Sequence, residues 1–113
     1  MKKVFVVNRG CHDHSDATRF GELVFLSEGA INRYAVANMY REFVQHLRES
    51  TKEDFLLITG LSVMSSLACS IFARKHGRIN LLLYKASRTP EVSGHYVERT
   101  VMIDELLGKE VKE

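Results

Sequence analysis

Phe55-Leu56-Leu57-Ile58-Thr59-Gly60 opens the stretch that decides the fold, which continues through the uncharged residues Leu61 to Ala73, then Arg74-Lys75-His76-Gly77, then Ile79-Asn80-Leu81-Leu82-Leu83-Tyr84. An uninterrupted apolar run closed by Thr-Gly reads as a buried strand. Val63, Met64, Leu67, Ala68, Ile71 and Phe72 then fall on one helical stripe, with Ser62 in position to cap it. Cations followed by glycine suit the end of that helix, and the second apolar run is the next strand. Strand, helix and strand in this order describe a parallel pair joined by a right-handed crossover. Continuous apolar strands fit such a sheet because both of its faces are covered.

The same grammar extends outward. Upstream, Val4-Phe5-Val6-Val7 ends in Asn8-Arg9-Gly10, and Glu22-Leu23-Val24-Phe25-Leu26 ends in Ser27-Glu28-Gly29, giving two more strands. Val36, Met39, Tyr40, Phe43 and Leu47 recur at helical spacing and predict a helix over 31–49. Downstream, the alternation from Tyr96 to Ile103 reads as an edge strand, and Asp104 caps a short terminal helix. No repeat, low-complexity stretch or linker interrupts residues 1–113. The expected fold is a single α/β domain, a small Rossmann-like or flavodoxin-like three-layer sandwich with a mostly parallel four- to five-stranded sheet.

Composition narrows the function classes. With 45% hydrophobic and 27% charged residues and one proline, the 113-residue chain is built to bury a core. Sixteen basic against fourteen acidic residues leave a charge of +2, which argues against nucleic acid as the partner. Basic residues are scattered, and no apolar window approaches the length of a signal peptide core or a membrane span. Cys11 and Cys69 lie on unlike segments and read as reduced thiols, so a cytoplasmic setting is expected.

In open parallel sheets ligands bind beyond the carboxyl ends of the strands, where the strand order reverses. Four post-strand loops are therefore candidates. Thr59-Gly60-Leu61-Ser62 offers hydroxyls and the free amides of a helix start, which favour phosphate or carboxylate; a plain capped turn is the structural alternative. Arg9, Arg33 and Arg88 fall in three of the loops, and a guanidinium fork suits the same anions. With Asn8, Arg9, His12, Arg33, Thr59, Gly60, Ser62 and Arg88 as binding residues, the leading expectation is a nucleotide or other small anionic ligand. The uncharged helix 61–73 has small residues along it and is expected to serve a homodimer.

Cys11-His12-Asp13-His14-Ser15-Asp16 is the most unusual stretch in the chain, and His12, His14 and Asp16 could hold a divalent metal as cofactor. The run His12 to Asp16 resembles the opening of the His-x-His-x-Asp-His motif of metallo-β-lactamase-like hydrolases. Ala17 stands where that motif closes on histidine, and the chain is shorter than such hydrolases need for their remaining ligands, so the family is not carried over. A metal-dependent hydrolase or phosphoesterase is the second expectation. His12 or His14 as base with Asp13 or Asp16 orienting it is a metal-free variant. A solvated loop in which Asp13 or Asp16 caps a turn is the structural alternative. A non-catalytic interaction domain using its helix faces is a third class.

Overall fold

In the computed structural model, which describes residues 1–10 and 13–103, the chain forms β1 (Lys3–Val6), a 3-10 helix (Ser15–Arg19), β2 (Glu22–Phe25), α1 (Val36–Leu47), β3 (Phe55–Leu57), α2 (Ser62–His76), β4 (Arg78–Lys85) and β5 (His95–Met102). One sheet runs in the order β2-β1-β3-β4-β5. Its first four strands are parallel, and β5 is antiparallel to β4. This is the flavodoxin-like order.

Handedness explains the layers. The chain steps one way across the sheet from β2 over β1 to β3, and again from β3 to β4. Right-handed crossovers put both connecting helices on one face. The step from β1 to β2 goes the other way, so its connection falls on the opposite face. Side chains sort accordingly with the two-residue period of strands. Phe5, Val7, Leu26 and Leu56 pack with Met39, Phe43, Met64, Ala68 and Phe72 of the helices. Val4, Val6 and Leu57 pack with Ala17, Phe20 and Tyr96 on the other side. Among the described residues the third layer is thus a short 3-10 helix and its flanking residues.

The helix ends differ in how they close. Gly77, at φ 68°, ends α2 in the left-handed conformation and donates its N–H to the Ala73 carbonyl at 2.7 Å, as the cation-glycine pattern predicts. No glycine follows α1. Lys75 of α2 serves instead, its ammonium donating to the carbonyls of Leu47 and Ser50, each at 3.0 Å, and to that of Arg48. These carbonyls lie at and just beyond the helix terminus, where a cation is suited. The Ser50 hydroxyl donates to the Leu47 carbonyl at 2.6 Å and accepts from His76 Nε2 at 2.8 Å.

Two local expectations are corrected. The first helix begins at Val36 rather than 31, because Asn32 forms a turn of its own. Its Oδ1 accepts the Tyr34 N–H at 3.0 Å and its carbonyl accepts from Ala35 N at 3.1 Å. Ser62 is not the cap of α2. Leu61 holds the flanking position, and its N–H points at Met64 Sδ. The missing charge on α2 also has an internal explanation. Ser62, Ser66 and Ser70 form the exposed stripe, and Ser66 and Ser70 return their hydroxyls to the carbonyls four residues earlier. The stripe meets water without charge. Asp104 and the terminal helix expected after it lie outside the described residues. Among the described residues no helix is long and apolar enough to cross a membrane.

At the amino-terminal edge of the sheet, buried polar groups fasten the strands. Asp54 accepts from Lys3 N at 2.9 Å and Thr51 N at 2.8 Å. Asn80 donates to the carbonyls of Lys52 and Asp54, each at 2.7 Å, and accepts from Thr100 Oγ1 at 3.2 Å. Asn80→Ala strands a buried carbonyl, and urea titration is expected to show a loss of about 2–3 kcal/mol. His76 gives a pH signature. Burial and then Lys75 hold its pKa below the ordinary value, with Asp54 opposing. The unfolded chain therefore takes up this proton first, so the stability it supports is present above pH about 6.5 and declines as the pH falls. His76→Gln, whose amide can still donate to Ser50, should have a flatter stability profile below pH 6.5 than the parent.

Candidate functional site

β1 and β3 are neighbours whose following loops depart to opposite faces, which makes their carboxyl ends the switch point of the sheet. The β1 loop is zipped to the loop after β2. Arg9 N donates to the Ser27 carbonyl and Gly29 N to the Arg9 carbonyl, both at 2.8 Å. Asn8 Nδ2 donates to the Gly29 carbonyl at 3.1 Å, and the Ser27 hydroxyl lies 2.9 Å from Asn8 Oδ1. The β3 loop turns at Gly60 with φ 91°. A Cβ there would lie 2.9 Å from Asn8 Cβ and 3.1 Å from Met64 Sδ. Glycine is required both by the backbone conformation and by the closeness of the two loops.

Two cavities flank this point. On the helix side, one of about 260 Å³ is lined by Asn8, Gly29, Ile31, Arg33, Gly60, Leu61 and neighbouring residues. An adjoining hollow of about 270 Å³ shares Arg33 and Leu61 with it and adds Ser62. Among the described residues the ion pairs engage Arg9 and Arg19, so Arg33 has no carboxylate partner there.

On the opposite side, a cavity of about 250 Å³ is lined by Asp13, His14, Ile58, Thr59, Tyr84 and Tyr96. Asp13, Tyr84 and Tyr96 also border a more open hollow of about 480 Å³. The buried Tyr96 organises this side. Its hydroxyl lies 2.9 Å from His14 Nδ1, and its ring meets Tyr84 edge to face at 5.4 Å between centroids. Its backbone is gripped from the 3-10 helix, where Asp16 Oδ2 accepts the Tyr96 N–H at 2.7 Å and Arg19 donates to the Tyr96 carbonyl at 2.6 Å. Arg19 and Asp16 are themselves paired at 3.2 Å.

Charge follows from these contacts. Burial raises the Tyr96 pKa, and nearby Tyr84, Asp13 and Asp16 add to the effect, so the phenol keeps its proton. The Tyr96 N–H lowers the pKa of Asp16, and the Ser15 N–H, 2.9 Å from Asp13 Oδ1, lowers that of Asp13. Both carboxylates are ionised at neutral pH. The thiol of Cys69, half-buried and free, is pushed up by burial and is not poised for chemistry.

The structure thus gathers Asn8, Arg33 and Gly60 in one cavity, Ser62 beside them, and Thr59 with Asp13 and His14 in the other. Arg9 instead stacks its guanidinium on Phe25, 4.8 Å from the ring centroid, and faces Glu28 at 4.0 Å. Arg88 is exposed in the β4–β5 loop and lines neither cavity. Of the three metal-ligand candidates, His14 and Asp16 are turned to Tyr96, and His12 lies outside the described residues. Among the described residues no group of three or more His, Cys, Asp or Glu side chains is placed to hold a metal ion. Tyr84 and Tyr96 were not among the residues expected from sequence. The available signal was a tyrosine on each strand of the β4–β5 hairpin beside its loop, which the register pairs directly.

Comparison with known proteins gives one family. The model described as "Phage Pam3 gp32-like protein" matches residues 2–101. No curated protein and no solved structure matches the chain.

Gly60→Ala forces a left-handed residue to carry a Cβ against Asn8. It is expected to cost at least about 1–2 kcal/mol in chemical denaturation, whereas Gly29→Ala, where a Cβ meets nothing within 4 Å, should show only the conformational part of that loss.

Proposed function

The chain belongs to the phage Pam3 gp32-like family, and we propose that it is a ligand-binding α/β domain that holds a small anionic ligand, a nucleotide or related phosphate ester, at the carboxyl edge of its sheet. The observation that carries this reading is the cavity at the switch point in which Arg33, without an ion-pair partner among the described residues, stands beside Gly60 and Asn8. Ligands of doubly wound sheets sit at this place in the topology. Gly60 removes the side chain that would fill the gap between the two loops, and Arg33 supplies a cation with a planar fork. The amides at the start of α2, next to Leu61 and Ser62, add donors on the same side. The free Cys69 thiol agrees with a reducing cytoplasmic setting.

Binding follows by thermal shift with inorganic phosphate, ribose 5-phosphate and nucleoside monophosphates. A ligand at one hundred times its Kd contributes about 2.7 kcal/mol, which is about 10–20 °C in Tm for a chain of this size. Arg33→Ala should weaken the phosphate-bearing ligands by about ten-fold or more, the loss of a charge-assisted hydrogen bond, and leave the melting point of the free protein unchanged. If no phosphate compound raises Tm at millimolar concentration, the reading fails.

A further inference from the structure

Resting on the reading above, we propose that the second cavity, between Tyr84, Tyr96 and Asp13, is a ring site that takes the amino-bearing heteroaromatic base of the same ligand. The domain would then recognise a nucleoside monophosphate, with its base on the β5 side of the switch point and its phosphate on the helix side.

Size is the first argument. At about 250 Å³ the tyrosine cavity falls below the range of about 300–1,000 Å³ usual for whole small-molecule sites. It suits one ring system and not an entire nucleotide. The remainder of such a ligand has to lie outside, and the loop after β3 shows where. Ile58 and Thr59 line the tyrosine cavity, while Gly60 and Leu61 line the cavity of Arg33. Consecutive residues of one loop therefore border both sites, and the two cavities adjoin across it.

Wall chemistry is the second. Tyr84, Tyr96, His14 and Ile58 present ring faces, ring edges and an aliphatic side chain, which suit a flat π system. These walls are held in place. Tyr96 is fixed through its hydroxyl by His14 and through its backbone by Asp16 and Arg19. The phenol of Tyr84 lies over Gly94, where any Cβ would collide with its oxygen and its ring carbon. Tyr84 is nevertheless 57% exposed, so a ring entering the cavity covers aromatic surface that is now in water.

Charge gives the direction. Asp13, one oxygen of which accepts the Ser15 N–H, is ionised on this side, which disfavours a phosphate there and offers acceptor lone pairs to an exocyclic amino group, which uracil lacks. Arg33 stands on the other side of the loop. One end of the site therefore takes hydrogen-bond donors and the other takes an anion, which is how a nucleoside monophosphate with an amino base is laid out.

The test is isothermal titration of the full chain with AMP, GMP, CMP, UMP, the matching nucleosides and ribose 5-phosphate. At least one of AMP, GMP and CMP should bind about ten-fold or more tightly than ribose 5-phosphate and more tightly than UMP, since a base stacked on an aromatic side chain is worth about that factor. Tyr84→Ala, at an exposed position, should reduce nucleotide binding to the level of ribose 5-phosphate without altering ribose 5-phosphate itself. Asp13→Asn should erase the preference over UMP. Equal affinities for nucleotides and ribose 5-phosphate, or a Tyr84→Ala protein with unchanged nucleotide affinity, overturn the ring site and leave the anion site standing. Nucleosides binding as well as nucleotides, with no effect of Arg33→Ala, overturn the anion site alone. Failure of every nucleotide to bind overturns both.

Discussion

The handedness of the crossover connections is the constraint from which the rest of the molecule follows. Because β2 to β3 and β3 to β4 step the same way, α1 and α2 share a face, and the β1-to-β2 connection is left to cover the other. Among the described residues that connection forms one short 3-10 helix. Val4, Val6, Leu57 and Leu82 still have to be covered, and part of that duty passes to Ala17, Phe20 and Tyr96. A residue at the start of an antiparallel edge strand thereby becomes a core residue of the parallel sheet.

Fastening Tyr96 then makes demands on the chain around it. Edge strands present unpaired backbone groups, and here both polar groups of Tyr96 are taken by side chains, its N–H by Asp16 and its carbonyl by Arg19. The 3-10 helix therefore closes the sheet face through Ala17 and the sheet edge through its two charged residues. Its cover is short, and a cavity remains between Asp13 and His14 ahead of it, the ends of β3 and β4, and Tyr96. On the helix side the close approach of the β1 and β3 loops, permitted by Gly60, bounds the other cavity. Both hollows are consequences of the topology at the same point.

The strands and α2 are legible in the sequence because burial on both faces demands uninterrupted apolar runs, and Val4 to Val7 and Phe55 to Leu57 are all buried. The start of α1 is not legible, because Ile31 is in place to pack on the core while Asn32 turns the backbone through its own side chain. Among the candidate site residues, position in a post-strand loop marks the carboxyl edge of the sheet but not the direction of the side chain. Arg33 and Arg9 occupy equivalent loops, yet Arg9 is drawn onto Phe25 and toward Glu28. Tyr84 and Tyr96 escape notice for the opposite reason. Tyrosine is an ordinary strand residue, and only the hairpin register brings the two together at the carboxyl edge.

The acidic and histidine-rich loop changes meaning once these contacts are counted. In sequence, His14 and Asp16 invite a metal because imidazole and carboxylate lie close together. In the fold, Asp16 divides its oxygens between a backbone N–H and a guanidinium, and His14 meets a phenol that burial keeps protonated. Each interaction is stabilised by the charge or hydrogen-bonding capacity that a metal would otherwise use. Asp13 differs from both, since one oxygen accepts the Ser15 N–H while the side chain remains exposed at the cavity rim. Among the described residues of the loop, Asp16 and His14 hold Tyr96 in place and Asp13 gives the cavity its charge. That division makes the β5 side of the switch point acidic and aromatic while the helix side stays cationic, and any ligand that spanned the two would have to be unlike at its two ends.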